Sequence, residues 1–167
     1  MAILNESLEW RDFNARVHDA FRSQATKILL EHGTLLCRFI TAESAQHDIQ
    51  GNEIFASPWW LHWSSALADI LRWNRAHASP AQTIRARMAV TSEMNQKMNN
   101  LAQIVLREQV YAWKGIARHQ TDRNRRLTYM GGGEQLFLPN LASRDNPLTS
   151  PVAHLHCFTD VGSLDFA

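Results

Sequence analysis

Cysteine is scarce in this chain, with two in 167 residues, Cys37 and Cys157. Two cysteines make no disulfide framework, and both are expected to stay reduced. An excess of one charge is missing as well. The formal net charge is +1, so no global field draws the chain to nucleic acid or to an anionic membrane. Arg123, Arg125 and Arg126 form only a short basic cluster. No apolar run approaches the ~18–20 residues that a membrane helix needs. Met1-Ala2-Ile3-Leu4 gives way to polar residues, without the basic and apolar regions of a signal peptide. The expectation is a cytoplasmic protein, and one exported by a dedicated secretion machine would look the same. The signatures HExxH, GxSxG, CxxC and GxGxxG are all absent.

What is present describes an ordinary globular chain. Apolar residues make up 45% and charged residues 20%, and the length suits one domain spanning residues 1–167. Such a chain can bury a core without staples. Six tryptophans are many for this length, and Trp59, Trp60 and Trp63 stand close together. A tryptophan cluster is either core or the floor of a pocket for a flat ligand.

The pattern along the chain predicts helices first and strands later. Trp10, Phe13, Val17, Phe21, Ala25 and Ile28 recur at helical spacing and predict one long amphipathic helix over 5–33, capped by Asn5 or Ser7 and closed by Gly33. Thr34 to Thr41 reads as a buried strand, and residues 42–53 as loop. Ser57-Pro58 and Ser79-Pro80 each look like a helix start. The first of these helices would carry Trp60, Trp63, Leu67, Ile70 and Leu71 on one side. The second would fade near Asn95. Leu101 to Leu106, Val110 to Ala117, Leu127 to Tyr129, Glu134 to Leu138 and Val152 to Thr159 read as strands, with a loop over 140–151. This order predicts an α+β fold, with N-terminal helices packed on a mostly antiparallel sheet built largely from the C-terminal half.

Five features could carry chemistry. Arg38 sits mid-strand in an apolar run, where a guanidinium needs a partner, structural or ligand. Ser57 caps a helix or meets a ligand hydroxyl at its start. Trp59 and Trp60 follow directly. Gly131-Gly132-Gly133 implies unusual backbone angles or a close approach, or else a flexible hairpin. It leads into Glu134 and Gln135, which alternate, so only one of them can enter a given site. His154 and His156, two apart on a strand, would face one side and could share a metal. A third ligand is not evident, and a structural pair is the plainer reading.

Arg38 on an early strand, the Phe55-Ala56-Ser57-Pro58-Trp59-Trp60 segment and the Gly-rich Glu134-Gln135 strand resemble, in order and coarse spacing, the bacterial ADP-ribosyltransferase-like fold and related NAD-consuming toxins. The resemblance covers roughly residues 34–140. It implies NAD as substrate. Arg38 would hold the pyrophosphate or a ribose hydroxyl, with Ser57 beside it, and Trp59 or Trp60 would stack on nicotinamide. Glu134 or Gln135 would act as the catalytic group, bonding the ribose 2′-hydroxyl and stabilising an oxocarbenium-like transition state. The family's Ser-Thr-Ser triplet and its Glu-x-Glu or Gln-x-Glu pair are absent. That departure leaves a glycohydrolase-like activity, or a non-catalytic domain, beside transferase activity. A protein target or an inhibitor protein is the partner implied. The competing readings are a non-catalytic protein-interaction domain and a metal-dependent hydrolase built on His154 and His156.

Overall fold

The computed structural model describes residues 2–41, 54–94 and 97–161. The loop expected over 42–53 lies outside the described residues, and the helix expected to run from Ser79-Pro80 to near Asn95 ends earlier, at Met88, where Ala89 turns left-handed with φ 51. Nine strands and three α-helices are described, in the order β1 (Thr26–Leu30), β2 (Leu35–Ile40), β3 (Trp59–His62), β4 (Asn100–Leu106), β5 (Val110–Ile116), β6 (Gln120–Asp122), β7 (Leu127–Tyr129), β8 (Glu134–Phe137) and β9 (Ala153–Asp160), with α1 (Ala15–Asp19) before β1, and α2 (Trp63–Asn74) and α3 (Pro80–Met88) between β3 and β4. Seven strands form one sheet in the order β1-β5-β8-β3-β2-β4-β9, and β6 and β7 form a separate hairpin. Every pairing between these strands is antiparallel. The fold is α+β, but the longer helices are central in the chain and not N-terminal.

Each face of the sheet carries core. Leu36, Ile40, Trp60, Ala102, Ile104, Ala112 and Leu136 pack on one face, under Ile54, Phe55, Leu138, Leu141 and Val152. On the other face Cys37, Phe39, Leu61 and Leu101 meet Ala66 and Ile70 of α2 and Ile84 and Met88 of α3. Beside them Trp113 and Phe137 meet Val17 and Phe21. Alternation along each strand produces this division.

The long N-terminal helix is not formed. Only Ala15–Asp19 is α-helical, capped by Asn14, whose side chain accepts from the Val17 amide. The aromatic spacing serves an irregular segment instead. Phe13 meets Trp113 and Phe137 edge-on at 4.6 and 4.9 Å, and Trp10 packs on Phe21 and His18. Thr26 to Leu30 pairs with β5, so β-sheet pairing overrides the helical period there. Gly33 has φ +82 and turns the chain between β1 and β2. Ser57 caps no helix either. Its hydroxyl accepts from the Trp59 amide at 3.4 Å at the entry to β3, and α2 begins only at Trp63.

Ser79 does cap a helix. Its Oγ accepts from the Gln82 amide while the Gln82 side chain accepts from the Ser79 amide, a reciprocal pair that starts α3. The far end of α3 explains the glycines. The amides of Gly131 and Gly133 donate to the carbonyls of Ala86 and Arg87, groups a helix end otherwise leaves open. A side chain at Gly133 would collide with Met88, and one at Gly131 with the Ala117 carbonyl. The close approach implied by three glycines is therefore made by α3 and the end of β5.

Asp122, closed off from solvent, ties the β6–β7 hairpin to the segment after α3. It accepts from the Ser92 amide and hydroxyl at 2.6 and 2.9 Å and from the Arg125 amide at 2.9 Å. Burial pushes its carboxyl upward, but these donors and the Arg125 charge outweigh burial and hold it below the usual carboxylate range. A carboxyl lowered by folding stabilises above its unfolded pKa, ~3.9, and that stabilisation is lost as pH falls through the folded value. Asp122→Asn should therefore lower the urea midpoint at neutral pH. The gap to the parent chain should shrink below about pH 4. A gap unchanged down to acid pH would contradict this role.

Candidate functional site

The sheet is continuous between β2 and β3 for only two residue pairs, Leu36↔His62 and Cys37↔Leu61. Beyond them the strands part. Arg38, Phe39 and Ile40 stay on β4, opposite Ala102, Leu101 and Asn100. Trp59 and Trp60 stay on β8, opposite Phe137 and Leu136. Each divergent end is anchored. The Thr41 hydroxyl accepts from the amides of Lys97 and Met98, which holds β2 toward β4. The Pro58 carbonyl accepts from the Leu138 amide, which holds β3 toward β8.

A cleft of about 710 Å³ occupies the opening. Arg38, Ser57, Trp59, Trp60 and Gln135 all line it, together with Arg16, Asp19 and Ala20 of the α1 region, the end of α3 through Thr91, Glu93, Met98 and Arg118. Five of the six residues that the resemblance assigns to the site thus meet in one place. Glu134 does not line it. It faces the other side of β8, as strand alternation requires, where it accepts from the Ser65 hydroxyl at 3.4 Å and pairs with Lys114 at 3.5 Å.

Arg38 donates to the Ile54 carbonyl at 2.9 Å, and its guanidinium lies 5.6 Å from the centre of the Trp60 ring. The charge that looked costly in a strand is met by a carbonyl and an aromatic face. Trp60 is 1% exposed, and its Nε1 donates to the Ser57 carbonyl at 3.0 Å. Its ring is core and the support of Arg38, so it offers no face for stacking. Trp59 is half-buried, against Phe21 and Phe137 at 5.8 and 5.0 Å. Gln135 donates through Nε2 to the Ala20 carbonyl at 2.9 Å, which also accepts from the Arg118 amide. This shared carbonyl pins α1 to the rim. Across it Asp19 and Arg118 pair at 3.6 Å, an exposed contact of small energetic weight.

The cleft therefore has two characters. Arg16, Arg38, Asp19, Arg118 and Gln135 bring charge and hydrogen-bonding groups. Phe39, Leu61, Ile84, Met88, Val90 and Met98 belong to one apolar cluster. Sequence reasoning missed the α1 residues, Arg118 and the segment after α3. No local pattern marks them, because irregular backbone held by distant partners delivers them.

The competing metal site is weaker in the structure. In β9 the register slips where Ile104 faces Leu155 and Gln103 faces Cys157. This bulge leaves His156 unpaired and breaks the regular alternation on which a shared face for His154 and His156 rested. His154 instead accepts at Nδ1 from Arg107 at 3.2 Å. Among the described residues no group of three histidine, cysteine or carboxylate side chains could hold a metal. The 140–151 loop is partly tied down, with Asn140 bonded to the Asn5 side chain and Leu141 in the core. No helix among the described residues is long and apolar enough to cross a membrane. Cys37 and Cys157 are free thiols. Both are aligned with Gln103 on the intervening strand, about two strand spacings apart and too far to bridge.

Two solved structures share this fold. One is Rhs1-CT in complex with its cognate immunity protein RhsI1, with a TM-score of 0.50 and 16% identity over 84% of this chain and 83% of that one. The other is Tne2 in complex with Tni2, with a TM-score of 0.51 and 13% identity over 80% of this chain and 88% of that one. No family model matches the chain, and no curated protein matches it. At these identities the likeness is one of fold.

Behind the cleft, His62 reports on Glu134. Burial lowers the His62 pKa, the Glu134 charge draws it partly back up, and Lys114 lowers it. His62 should titrate below 6.5 by NMR, and Glu134→Gln should move the midpoint lower still. An upward move would contradict the placement of Glu134 on this side of β8.

Proposed function

We propose that this chain is an NAD-consuming domain, a glycohydrolase or ADP-ribosyltransferase, of the kind restrained by a cognate inhibitor protein. The observation that carries the reading is the parting of β2 and β3, which gathers Arg38, Ser57, Trp59 and Gln135 on one cleft. A dinucleotide needs a cation for its pyrophosphate, an aromatic face for a ring and polar groups for its ribose hydroxyls. Arg38 supplies the first, with a fork suited to phosphate oxygens. Trp59 supplies the second and Gln135 the third, with Ser57 beside them. Stacking belongs to Trp59 alone, since Trp60 is buried.

The chemistry is cleavage of the glycosidic bond between nicotinamide and ribose. In the glycohydrolase reaction water attacks the ribose carbon, nicotinamide leaves and ADP-ribose is released. Positive charge grows on the ribose as the bond breaks, so prearranged dipoles and carboxylates lower the barrier. Gln135 takes the ribose-contacting role that the family assigns to this strand. Glu134 lies outside the cleft, and the lining carboxylates among the described residues are Asp19 and Glu93. The absence of the Glu-x-Glu pair and the outward face of Glu134 favour hydrolysis over transfer to a protein side chain. The fold shared with Rhs1-CT, which was solved with its immunity protein, supports an inhibitor protein as the partner.

Calorimetry with NAD and an assay of nicotinamide release test this reading. Arg38→Ala should weaken NAD binding about ten- to hundredfold, the loss of a charge-assisted contact of about 1.5–3 kcal/mol. Gln135→Ala should slow release more than it weakens binding, because its contact matters most in the transition state. Glu134→Ala should change neither. An absence of both heat and nicotinamide release with the parent chain would overturn the reading.

A further inference from the structure

Thr91 lines the cleft, is only 2% exposed, and its hydroxyl has no hydrogen-bond partner. Buried side-chain hydroxyls are nearly always paired, because leaving one unsatisfied destabilises the fold. Among the described residues one other buried side-chain atom shares this condition, Thr83 Oγ1, and Thr83 does not line the cleft. The position of Thr91 is not accidental. Ala89 leaves α3 with φ 51, and the next-door Ser92 is fastened by its amide and hydroxyl to Asp122. The backbone on both sides of Thr91 is thus held at the cleft wall, through Val90 and Ser92.

We propose that the Thr91 hydroxyl is a ligand-recognition group that bonds the carboxamide of a nicotinamide ring seated in the apolar part of the cleft. This deepens the dinucleotide reading above and rests on it. The assignment to the ring end follows from the lining. Val90, next to Thr91, belongs to the apolar cluster with Phe39, Leu61, Ile84, Met88 and Met98. Arg16 and Arg118 line the cleft at the α1 rim, where Arg118 pairs with Asp19, and they add charge to the end where Arg38 meets the pyrophosphate. A flat heteroaromatic ring buries well among apolar side chains, but its carboxamide then needs a partner. A threonine hydroxyl both donates and accepts, so it can meet either end of a carboxamide. In the unliganded protein that hydroxyl is left unsatisfied, and the substrate completes it.

The test compares Thr91→Val, Thr91→Ser and the control Thr83→Val with the parent chain. Affinities for NAD and for ADP-ribose are measured by calorimetry, and thermal unfolding is followed without ligand. Thr91→Val should weaken NAD binding about five- to tenfold and leave ADP-ribose binding unchanged, since ADP-ribose lacks the carboxamide. The same variant should unfold about 2–4 °C higher than the parent, because it no longer buries an unsatisfied hydroxyl. Thr91→Ser should keep NAD affinity. Thr83→Val should raise the midpoint without touching affinity. A Thr91→Val variant with parental NAD affinity would overturn this inference while leaving the dinucleotide reading intact. Equal weakening toward ADP-ribose would overturn the carboxamide assignment, and a lower midpoint would show that the hydroxyl is paired in the free protein. A parent chain that binds neither nucleotide would overturn both this inference and the reading beneath it.

Discussion

The constraint on which the rest depends is the short contact between β2 and β3. Two residue pairs hold these strands together, and past Cys37↔Leu61 each follows its other neighbour. A sheet that stayed paired would set Arg38 against Trp60 across a ladder and close the space between them. Because it opens, residues from both faces of the sheet reach one cavity. Arg38 and Trp60 come from one face, and Phe39, Trp59 and Gln135 from the other. A strand ordinarily sends successive side chains to opposite sides, so only an opening of this kind lets Arg38 and Gln135 line the same cleft.

The opening is maintained by bonds away from the cleft. Thr41 is held by the amides that precede β4, and Pro58 by the amide of Leu138. The far wall depends on Asp122, which fixes Ser92 between Thr91 and Glu93. The roof depends on the Ala20 carbonyl, shared by Gln135 and Arg118. The glycines let β8 pass close under the end of α3, which brings Met88 and the segment after it over the sheet. The polar supports are partly or wholly buried contacts, of the kind that costs more to break than to form. The cleft is therefore largely built before any ligand arrives.

Much of the sheet was legible in the sequence, and the reason is physical. β2, β4, β5, β8 and β9 are short apolar runs bounded by turn residues, and their burial on the sheet agrees with their local preference. Arg38 stood out because a charge inside such a run has to be explained. The N-terminal region was misread because Trp10, Phe13, Val17 and Phe21 recur at helical spacing while serving an aromatic cluster over Trp113 and Phe137. Spacing reports that side chains share a side, and irregular backbone can satisfy that as well as a helix. Ser57-Pro58 misled for a related reason. The pairing of Trp59 and Trp60 with β8 outweighed a local helix-start signal. The contributions of Asp19, Thr91, Glu93 and Arg118 were not legible at all, since partners more than twenty residues away set their positions. Glu134 and Gln135 could be separated only by knowing which face of β8 the cleft lies on.

The central claim is that the gap between β2 and β3 is a dinucleotide site, and an NMR titration of the labelled chain with ADP-ribose tests it most directly. Amide and indole signals from Arg38, Phe39, Ser57, Trp59 and Gln135 should shift together and saturate. Signals from the His154 region of β9 should stay still. Saturating shifts confined to residues outside the cleft, or none at all, would contradict it.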